Sequence, residues 1–281
     1  MPNLDSIKNN ITSIHSNDIK QLSIIFDDAK KIIVEAPAGC GKTKTMISKI
    51  AYLIASNKLE TTKKILALTF SVNASYKIKK DVFQQLPSII ECDSSESMFL
   101  AEKIVVSNYH GFCRKILSKY GYLISNRAID YNNIIAISDE IKVLKKYISN
   151  ESICKEINDF SLKVKVNDLN YLQENYKKYN ELVKYCLLSN GVITYNAILT
   201  LTYELFTEKI KVKEFYQRYY PVIFIDEFQD TNCLSWLIIK KLINDETNLV
   251  LMGDPLQRIY GFIGAIPNLM NVAEETFYMR K

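Results

Sequence analysis

The chain has 281 residues, of which 48% are hydrophobic, with only eight glycines and six prolines. Apolar residues are therefore plentiful enough to build a core, which excludes collagen-like, low-complexity and disordered classes. Lys and Arg number 36 against 31 for Asp and Glu, and the net charge of +5 is too small to indicate a nucleic-acid partner by itself.

Short β-branched runs alternate with longer amphipathic segments along the chain. The runs lie at residues 32–34, 65–68, 104–106, 222–225 and 249–252. Continuous apolar runs of this length are typical of strands that are buried on both faces. The helical stripe after the first run consists of Met46, Ile47, Ile50, Leu53 and Ile54. This alternation predicts an α/β fold in which helices flank a parallel sheet.

A glycine-containing segment joins the first predicted strand to the first long helix. It consists of Ala36, Pro37, Ala38, Gly39, Cys40, Gly41, Lys42, Thr43 and Lys44. Between a strand and a helix, such a segment is typical of a P-loop, whose backbone N–H groups converge on a phosphate and whose glycines permit close approach. We expect Lys42 to reach the β- and γ-phosphates of a nucleotide and Thr43 to bind Mg2+.

The alternation lapses between residues 121 and 191. Helix-spaced apolar residues continue there, for example Leu172, Tyr176 and Tyr179, but no strand-like run is evident. We therefore predict a small all-helical insertion at 121–191, within a nucleotide-binding domain that is formed by 1–120 and 192–281.

An acidic pair, Asp226 and Glu227, follows the fourth predicted strand directly. In a parallel sheet this pair would lie beside the P-loop, so that Asp226 holds Mg2+ and Glu227 activates water as a general base. Acidic residues at strand ends are also common turn and cap residues. The P-loop upstream favours the catalytic interpretation.

The cysteines and the uncharged segments indicate the environment of the chain. Six cysteines are spread without a CxxC pair, and the two histidines, His15 and His110, offer no zinc-ligand spacing. The first residues lack the features of a secretory signal, and polar residues interrupt the longest uncharged stretch, 185–203. We expect a cytoplasmic protein with reduced cysteines and no membrane partner.

Further motifs resemble the UvrD/Rep/PcrA family of superfamily 1 DNA helicases. Residues 226–232 read DEFQDTN, which resembles the family's Walker B motif, and residues 253–265 read GDPLQRIYGFIGA, which is similar to its third motif. The LTFS segment at 68–71 resembles motif Ia, and the NYHGF segment at 108–112 resembles motif Ib. Gln21 stands where the family has an adenine-reading Q motif. These motifs occur in the family's order.

The resemblance implies a RecA-like ATP-binding domain, termed 1A, with the helical insertion as a small 1B subdomain. It also implies ATP and Mg2+ as cofactors. Gln21 would hydrogen-bond the adenine, and Gln257 would sense the γ-phosphate beside the catalytic Lys42, Asp226 and Glu227.

The resemblance further implies single-stranded or partly duplex DNA as a partner. Phe70, Tyr260 and Phe262 fall where the family stacks aromatic rings on single-stranded bases, a contact that tolerates any sequence. Asn108 and His110 match positions that approach the DNA backbone. Outside the motif context, Phe70 and Phe262 would be interpreted as core aromatics and His110 as a structural histidine.

Several motif positions depart from the family pattern. Ala36 replaces the usual first glycine of the P-loop, Asn108 replaces the motif Ib threonine, and Ile263 replaces the motif III arginine. The last two lie in the proposed DNA path. We therefore expect DNA affinity or coupling to be weaker than in the family.

Little of the chain follows Ala265, and the family's motifs IV to VI, which a second RecA-like domain carries, have no place in it. Because that domain supplies arginines that stabilise the transferring phosphoryl group, we expect this chain alone to bind nucleotide and hydrolyse it poorly. The leading interpretation is the first motor half of a UvrD-like helicase. One alternative is a non-motor subunit that recruits a nuclease partner, as in anti-phage systems such as Gabija, and another is an unrelated P-loop switch.

Overall fold

The computed structural model describes residues 4–56, 59–92, 99–125, 130–254, 256–257 and 264–280. Its strands are β1 (Lys31–Glu35), β2 (Ile65–Thr69), β3 (Ile104–Asn108), β4 (Ile135–Ile137), β5 (Val192–Thr194), β6 (Val222–Ile225) and β7 (Asn248–Gly253). The central sheet has the order β1-β7-β6-β2-β3, and every neighbouring pair is parallel. The five predicted apolar runs lie within the five central strands, which confirms the parallel α/β sheet.

Helices cover both faces of this sheet. Those with described bounds are α1 (Leu4–Ile14), α2 (Ile19–Phe26), α3 (Lys42–Ala55), α4 (Val72–Ile90), α5 (Tyr109–Tyr120), α6 (Ile141–Leu144), α7 (Glu151–Lys165), α8 (Leu169–Cys186), α9 (Tyr195–Glu208), α10 (Ile210–Tyr219), α11 (Cys233–Leu242) and α12 (Leu269–Phe277). Alternate strand residues face opposite layers, so Ile32 packs with α1, α3 and α4, whereas Ile33 packs with α5, α9 and α11. Trp236, which is 2% exposed, lies in the second layer.

The carboxyl ends of the central strands meet at one edge of the sheet, hereafter the carboxyl edge. The register pairs Glu35 with Gly253 and Leu68 with Ile225. The P-loop, the acidic pair and the turn that leads to Gln257 therefore all begin at this edge. Open parallel α/β sheets bind their ligands there, outside the ends of the strands.

The predicted insertion at 121–191 is mostly helical, but it is not free of strands. Helices α6, α7 and α8 lie there, as the apolar spacing predicted. However, β4 lies there too and pairs in parallel with β5, just beyond the predicted boundary. The all-helical description is corrected accordingly, because a three-residue strand is too short to produce a recognisable period. The domain boundaries stay a prediction, since the buried side chains of the insertion continue the cluster on the second face of the sheet.

A buried polar network joins the insertion to α9. The Asp139 carboxylate, 5% exposed, accepts hydrogen bonds from Tyr179 Oη at 2.5 Å and from Asn196 Nδ2 at 3.0 Å. Tyr179 Oη also contacts Thr194 Oγ1 at 2.5 Å. Burial raises the pKa of Asp139 to about 6, although the hydrogen bonds from Tyr179, Thr194 and Asn196 lower it. The folded protein therefore holds the Asp139 proton more tightly than the unfolded chain does.

We expect this buried carboxyl to make stability depend on pH. Its contribution is fully present below about pH 4 and is lost as the pH rises to about 6, because unfolding then releases a proton. Asp139→Asn removes the titration, so this variant should gain up to about 3 kcal/mol relative to wild type between pH 4 and pH 7 in urea unfolding. Asp159→Asn, on the exposed face of α7, is the matched control. A difference between wild type and D139N that stays constant with pH would contradict the buried-carboxyl account.

The structure also bears on disulfides and on membrane-spanning helices. None of the six cysteines, all of which lie in the described ranges, forms a disulfide. Within the described ranges, no helix is long and apolar enough to cross a membrane.

Candidate nucleotide-binding site

The P-loop predicted at 36–44 forms a turn between β1 and α3. Gly39 and Gly41 both adopt left-handed backbone, with φ of 80° and 76°, a conformation that residues with side chains rarely adopt. A Cβ on Gly39 would meet no atom within 4 Å, so the loop is open on that side. No side chain caps the N-terminus of α3 at Gly41. The N–H groups of the first turn are therefore available to an anion such as a phosphate.

Lys42, the first residue of α3, folds back over this loop. Its Nζ donates to the carbonyl oxygens of Ala36 at 2.9 Å and Pro37 at 3.4 Å. Phosphate oxygens are stronger acceptors for an ammonium group than these carbonyls, because they carry charge. The next lysine, Lys44, donates to the Ile14 carbonyl at 2.7 Å and so ties the end of α1 to the P-loop helix.

Gln21 lies on α2 with its side chain against the P-loop. Its Nε2 donates to the Cys40 carbonyl at 3.4 Å, and a Cβ on Gly41 would lie 3.5 Å from the same nitrogen. Its Oε1 accepts a hydrogen bond from His15 Nδ1, and His15 Nε2 contacts Ser48 Oγ at 2.8 Å. Burial lowers the pKa of His15, which keeps the ring neutral near pH 7. The Cys40 carbonyl can only accept a hydrogen bond, so the end of the Gln21 amide that faces it must be Nε2. The contacts with Cys40 and His15 thus fix the orientation of this amide.

Asp226 and Glu227 follow β6 at the carboxyl edge. The Asp226 N–H donates to the Leu68 carbonyl at 2.9 Å, and the Glu227 N–H donates to Asp226 Oδ1 at 3.0 Å. Glu227 has left-handed backbone with φ of 50°, which costs a residue with a side chain about 1 to 2 kcal/mol. Burial and the charge of Glu227 raise the pKa of Asp226 to about 6, whereas the charges of Lys42 and Lys77 lower it. Asp226 therefore lies within electrostatic range of the P-loop lysine.

Gln229 connects Glu227 to the end of β7. Its Nε2 donates to Glu227 Oε2 at 2.7 Å, and its Oε1 accepts the backbone N–H of Asp254 at 3.0 Å. Asp254 begins the turn that leads to Gln257, whose backbone N–H donates to the Asp254 carbonyl at 3.0 Å. Two of the predicted catalytic residues, Glu227 and Gln257, are thus linked by a short path of hydrogen bonds.

The side chains at the carboxyl edge fit a magnesium-bound nucleotide. Thr43 and Asp226 offer oxygen ligands, and Mg2+ in nucleotide sites commonly takes one or two protein ligands together with phosphate oxygens. Across the ranges that the structure describes, no group of three or more His, Cys, Asp or Glu could hold a metal by itself. The open glycine cradle and the uncapped end of α3 suit the phosphates that would complete the coordination.

Three residues that were predicted to contact DNA lie at the carboxyl edge beside β2 and β3. Phe70 is half-buried directly after β2. Asn108 ends β3, and its Oδ1 caps α5 by accepting the Gly111 N–H at 2.9 Å. His110 packs edge-to-face on Tyr195 with ring centroids 5.7 Å apart, and burial lowers its pKa to about 4. The His110 ring is therefore uncharged at neutral pH.

Other predicted residues cannot be located in the same way. Tyr260 and Phe262 lie outside the described residues, and their DNA contacts stay predictions. Gln257 is described and exposed on the turn after β7. Its contact with a γ-phosphate likewise stays a prediction.

Sequence interpretation assigned no role to two polar residues of this site, His15 and Gln229, although Gln229 belongs to the DEFQDTN segment. His15 is one of two histidines in the chain, but only the turn between α1 and α2 brings it to Gln21. Gln229 lies two residues after Glu227, in a one-turn 3-10 helix (Phe228–Asp230) that reverses the chain. The motif placed Gln229 near the site, but its burial, with 5% exposure, and its contacts are visible only in the folded chain.

Comparison with known proteins agrees with this arrangement. The model of the UvrD/REP helicase N-terminal domain matches residues 17–278. A probable DNA helicase II homolog of Mycoplasma capricolum is 29% identical over 266 residues, which cover 88% of this chain. The ATP-dependent DNA helicase PcrA of Bacillus subtilis is 28% identical over 277 residues, which cover 92% of this chain.

The match covers 35% of the length of each of these two relatives, so the chain spans about a third of them. The family model, in contrast, matches nearly all of the chain. The described parts of the motif segments that carried the resemblance lie at the carboxyl edge of the parallel sheet. The chain belongs to the UvrD/REP helicase N-terminal domain family.

Proposed function

We propose that this chain is the ATP-binding motor half of a UvrD-like DNA helicase. ATP hydrolysis would be coupled to movement along single-stranded DNA when a second RecA-like domain completes the site. The observation that carries the proposal is the meeting of the P-loop, the acidic pair and the Gln257 turn at one edge of the sheet. The name of the PcrA relative, an ATP-dependent DNA helicase, supports the same reaction and partner.

The P-loop would bind the phosphates of ATP. Backbone N–H groups at the start of α3 surround the β-phosphate, and Lys42 leaves the Ala36 carbonyl to contact the β- and γ-phosphates. Thr43 and Asp226 would hold Mg2+, which neutralises negative charge on the phosphates. Gln21 would hydrogen-bond the adenine with the amide orientation that His15 and Cys40 fix.

Glu227 would accept a proton from the water that attacks the γ-phosphorus. Its backbone has the left-handed conformation, and its Oε2 accepts a hydrogen bond from Gln229 Nε2 at 2.7 Å. Gln257 would contact the γ-phosphate from the turn after β7. This turn continues into the segment that carries Tyr260 and Phe262, so a contact at the phosphate is a short distance in sequence from the proposed DNA contacts.

Single-stranded DNA would lie across the ends of β2 and β3. Phe70 would stack on a base, while Asn108 and the neutral His110 would contact the backbone without adding positive charge. Tyr260 and Phe262 would add further stacking. Because these contacts are aromatic or uncharged, they would themselves release few counterions, and salt dependence of the DNA affinity would come from charged residues elsewhere on the surface.

Fluorescence anisotropy with a labelled oligothymidine tests this function. We expect the chain to bind the oligonucleotide and a Mg2+-bound, non-hydrolysable ATP analogue, and each ligand to change the affinity for the other by the same factor. Nucleotide binding with no DNA affinity, even at low salt, would instead identify a nucleotide-dependent switch that acts on another partner.

A further prediction concerns base selectivity. His15→Leu removes the donor that orients Gln21, so we expect the preference for ATP over GTP to fall about fivefold while affinity for the phosphates is retained. His15→Asn keeps a donor near the position of Nδ1 and should restore most of the preference. The measurement is the ratio of ATP and GTP dissociation constants by calorimetry. An unchanged ratio in both His15→Leu and Gln21→Ala would show that adenine is read elsewhere.

A further inference from the structure

Gln229 occupies a position between two parts of the proposed catalytic centre that are distant in sequence. It is 5% exposed, and each end of its amide has a partner of fixed hydrogen-bonding character. The Glu227 carboxylate, 2.7 Å from Nε2, can only accept, and the Asp254 N–H, 3.0 Å from Oε1, can only donate. A side chain at this position must therefore donate a hydrogen bond at one end, toward Glu227, and accept one at the other, from Asp254.

The backbone at the end of β7 packs closely against this amide. A Cβ on Gly253 would lie 2.5 Å from Gln229 Oε1 and 3.4 Å from the Gln229 backbone nitrogen. Since real Cβ atoms do not approach an oxygen so closely, a larger residue at 253 would displace the Gln229 amide from this position. Glycine at 253 thus leaves room for the Gln229 amide oxygen beside β7, where it accepts the Asp254 N–H at 3.0 Å.

The same path continues toward Gln257. Asp254 Oδ1 accepts the Leu256 N–H at 3.0 Å, and the Asp254 carbonyl accepts the Gln257 N–H at 3.0 Å. The turn that presents Gln257 is thus built on Asp254, and Asp254 is bonded to Gln229. A displacement of Glu227 would be transmitted to this turn through a single side chain.

We propose that Gln229 is a positioning residue. Its amide holds the Glu227 carboxylate toward the attacking water and fixes the position of that carboxylate relative to the turn that carries Gln257. The inference rests on the proposed function, since it assigns Gln229 to the same reaction. Glutamine meets the requirement because its amide donates at one end and accepts at the other. Glutamate would keep the acceptor for Asp254 but lose the donor and add a charge beside Glu227.

The test compares Gln229→Glu with wild type in single-turnover hydrolysis of Mg2+-ATP by the chain. We expect the rate to fall about tenfold while the ATP dissociation constant changes less than about twofold. Gln173→Glu makes the same chemical change on the exposed face of α8 and should leave both values unchanged. Gln229→Met, similar in length but uncharged, should also slow hydrolysis, and thermal unfolding checks that both variants fold.

A double-mutant cycle separates positioning from a merely structural role. If Gln229 acts through Glu227, then Gln229→Glu in a Glu227→Gln background should slow hydrolysis by less than about twofold more. If the decreases in hydrolysis rate caused by Gln229→Glu and Glu227→Gln are fully additive, the inference is overturned. It is also overturned if both Gln229 variants hydrolyse ATP at the wild-type rate while Glu227→Gln is impaired. A wild-type ATP dissociation constant as weak as that of Lys42→Ala would instead contradict the proposed function itself.

Discussion

Replacing Lys42 by alanine should weaken the binding of Mg2+-ATP by about a hundredfold. Its ammonium group lies over the open P-loop, held by the Ala36 carbonyl at 2.9 Å, and it would form charge-assisted bonds with phosphate oxygens that are stronger than this one. The loss should appear as a higher dissociation constant in calorimetry and as loss of any DNA-stimulated hydrolysis. Because Lys42 is only partly buried, the free energy of unfolding should change by no more than about 1 kcal/mol.

Lys155→Ala is the matched control for this prediction. Lys155 is exposed on α7, so its removal changes the net charge equally without touching the carboxyl edge. Its ATP affinity should equal that of wild type. DNA-stimulated hydrolysis that survives in Lys42→Ala would refute the assigned phosphate site.

Replacing Glu227 by glutamine should separate binding from hydrolysis. A glutamine at 227 can still accept the hydrogen bond from Gln229 Nε2, so the local structure and the ATP dissociation constant should be retained. It cannot take a proton from water, and hydrolysis should fall by about 10^2 to 10^4-fold. Single-turnover phosphate release at saturating ATP measures the effect.

Glu174→Gln, on the exposed face of α8, controls for the loss of one negative charge. Its hydrolysis rate should match wild type. If Glu227→Gln hydrolyses ATP as fast as Glu174→Gln does, another group activates the water and the role assigned to Glu227 is wrong.

The positions of the central strands could be predicted from sequence because their signal is local. The five apolar runs are bounded by polar residues and separated by helical stripes, so period and length alone identify them. Their parallel order then brings segments such as 36–44 and 226–227 to the same edge. Prediction of the P-loop and the acidic pair required only this rule and the chemistry of the residues themselves.

The remaining features depend on contacts between segments that are distant in sequence. The pairing of β4 with β5 joins two three-residue strands across the insertion, and neither strand is long enough to show a period. His15 reaches Gln21 only because α1 and α2 meet at a tight turn, and Gln229 reaches Asp254 only because β6 and β7 are neighbours. Buried polar contacts of this kind leave no periodic trace in the sequence.

The central claim is that the carboxyl edge of this sheet binds Mg2+-ATP, and a crystal structure with Mg2+ and a non-hydrolysable ATP analogue tests it most directly. We expect the β-phosphate at the N-terminus of α3, Lys42 Nζ on the β- and γ-phosphate oxygens, and Mg2+ beside Thr43 and Asp226. The adenine should contact the Gln21 amide. A nucleotide bound away from the P-loop, or no bound nucleotide at saturating concentration, would contradict the account.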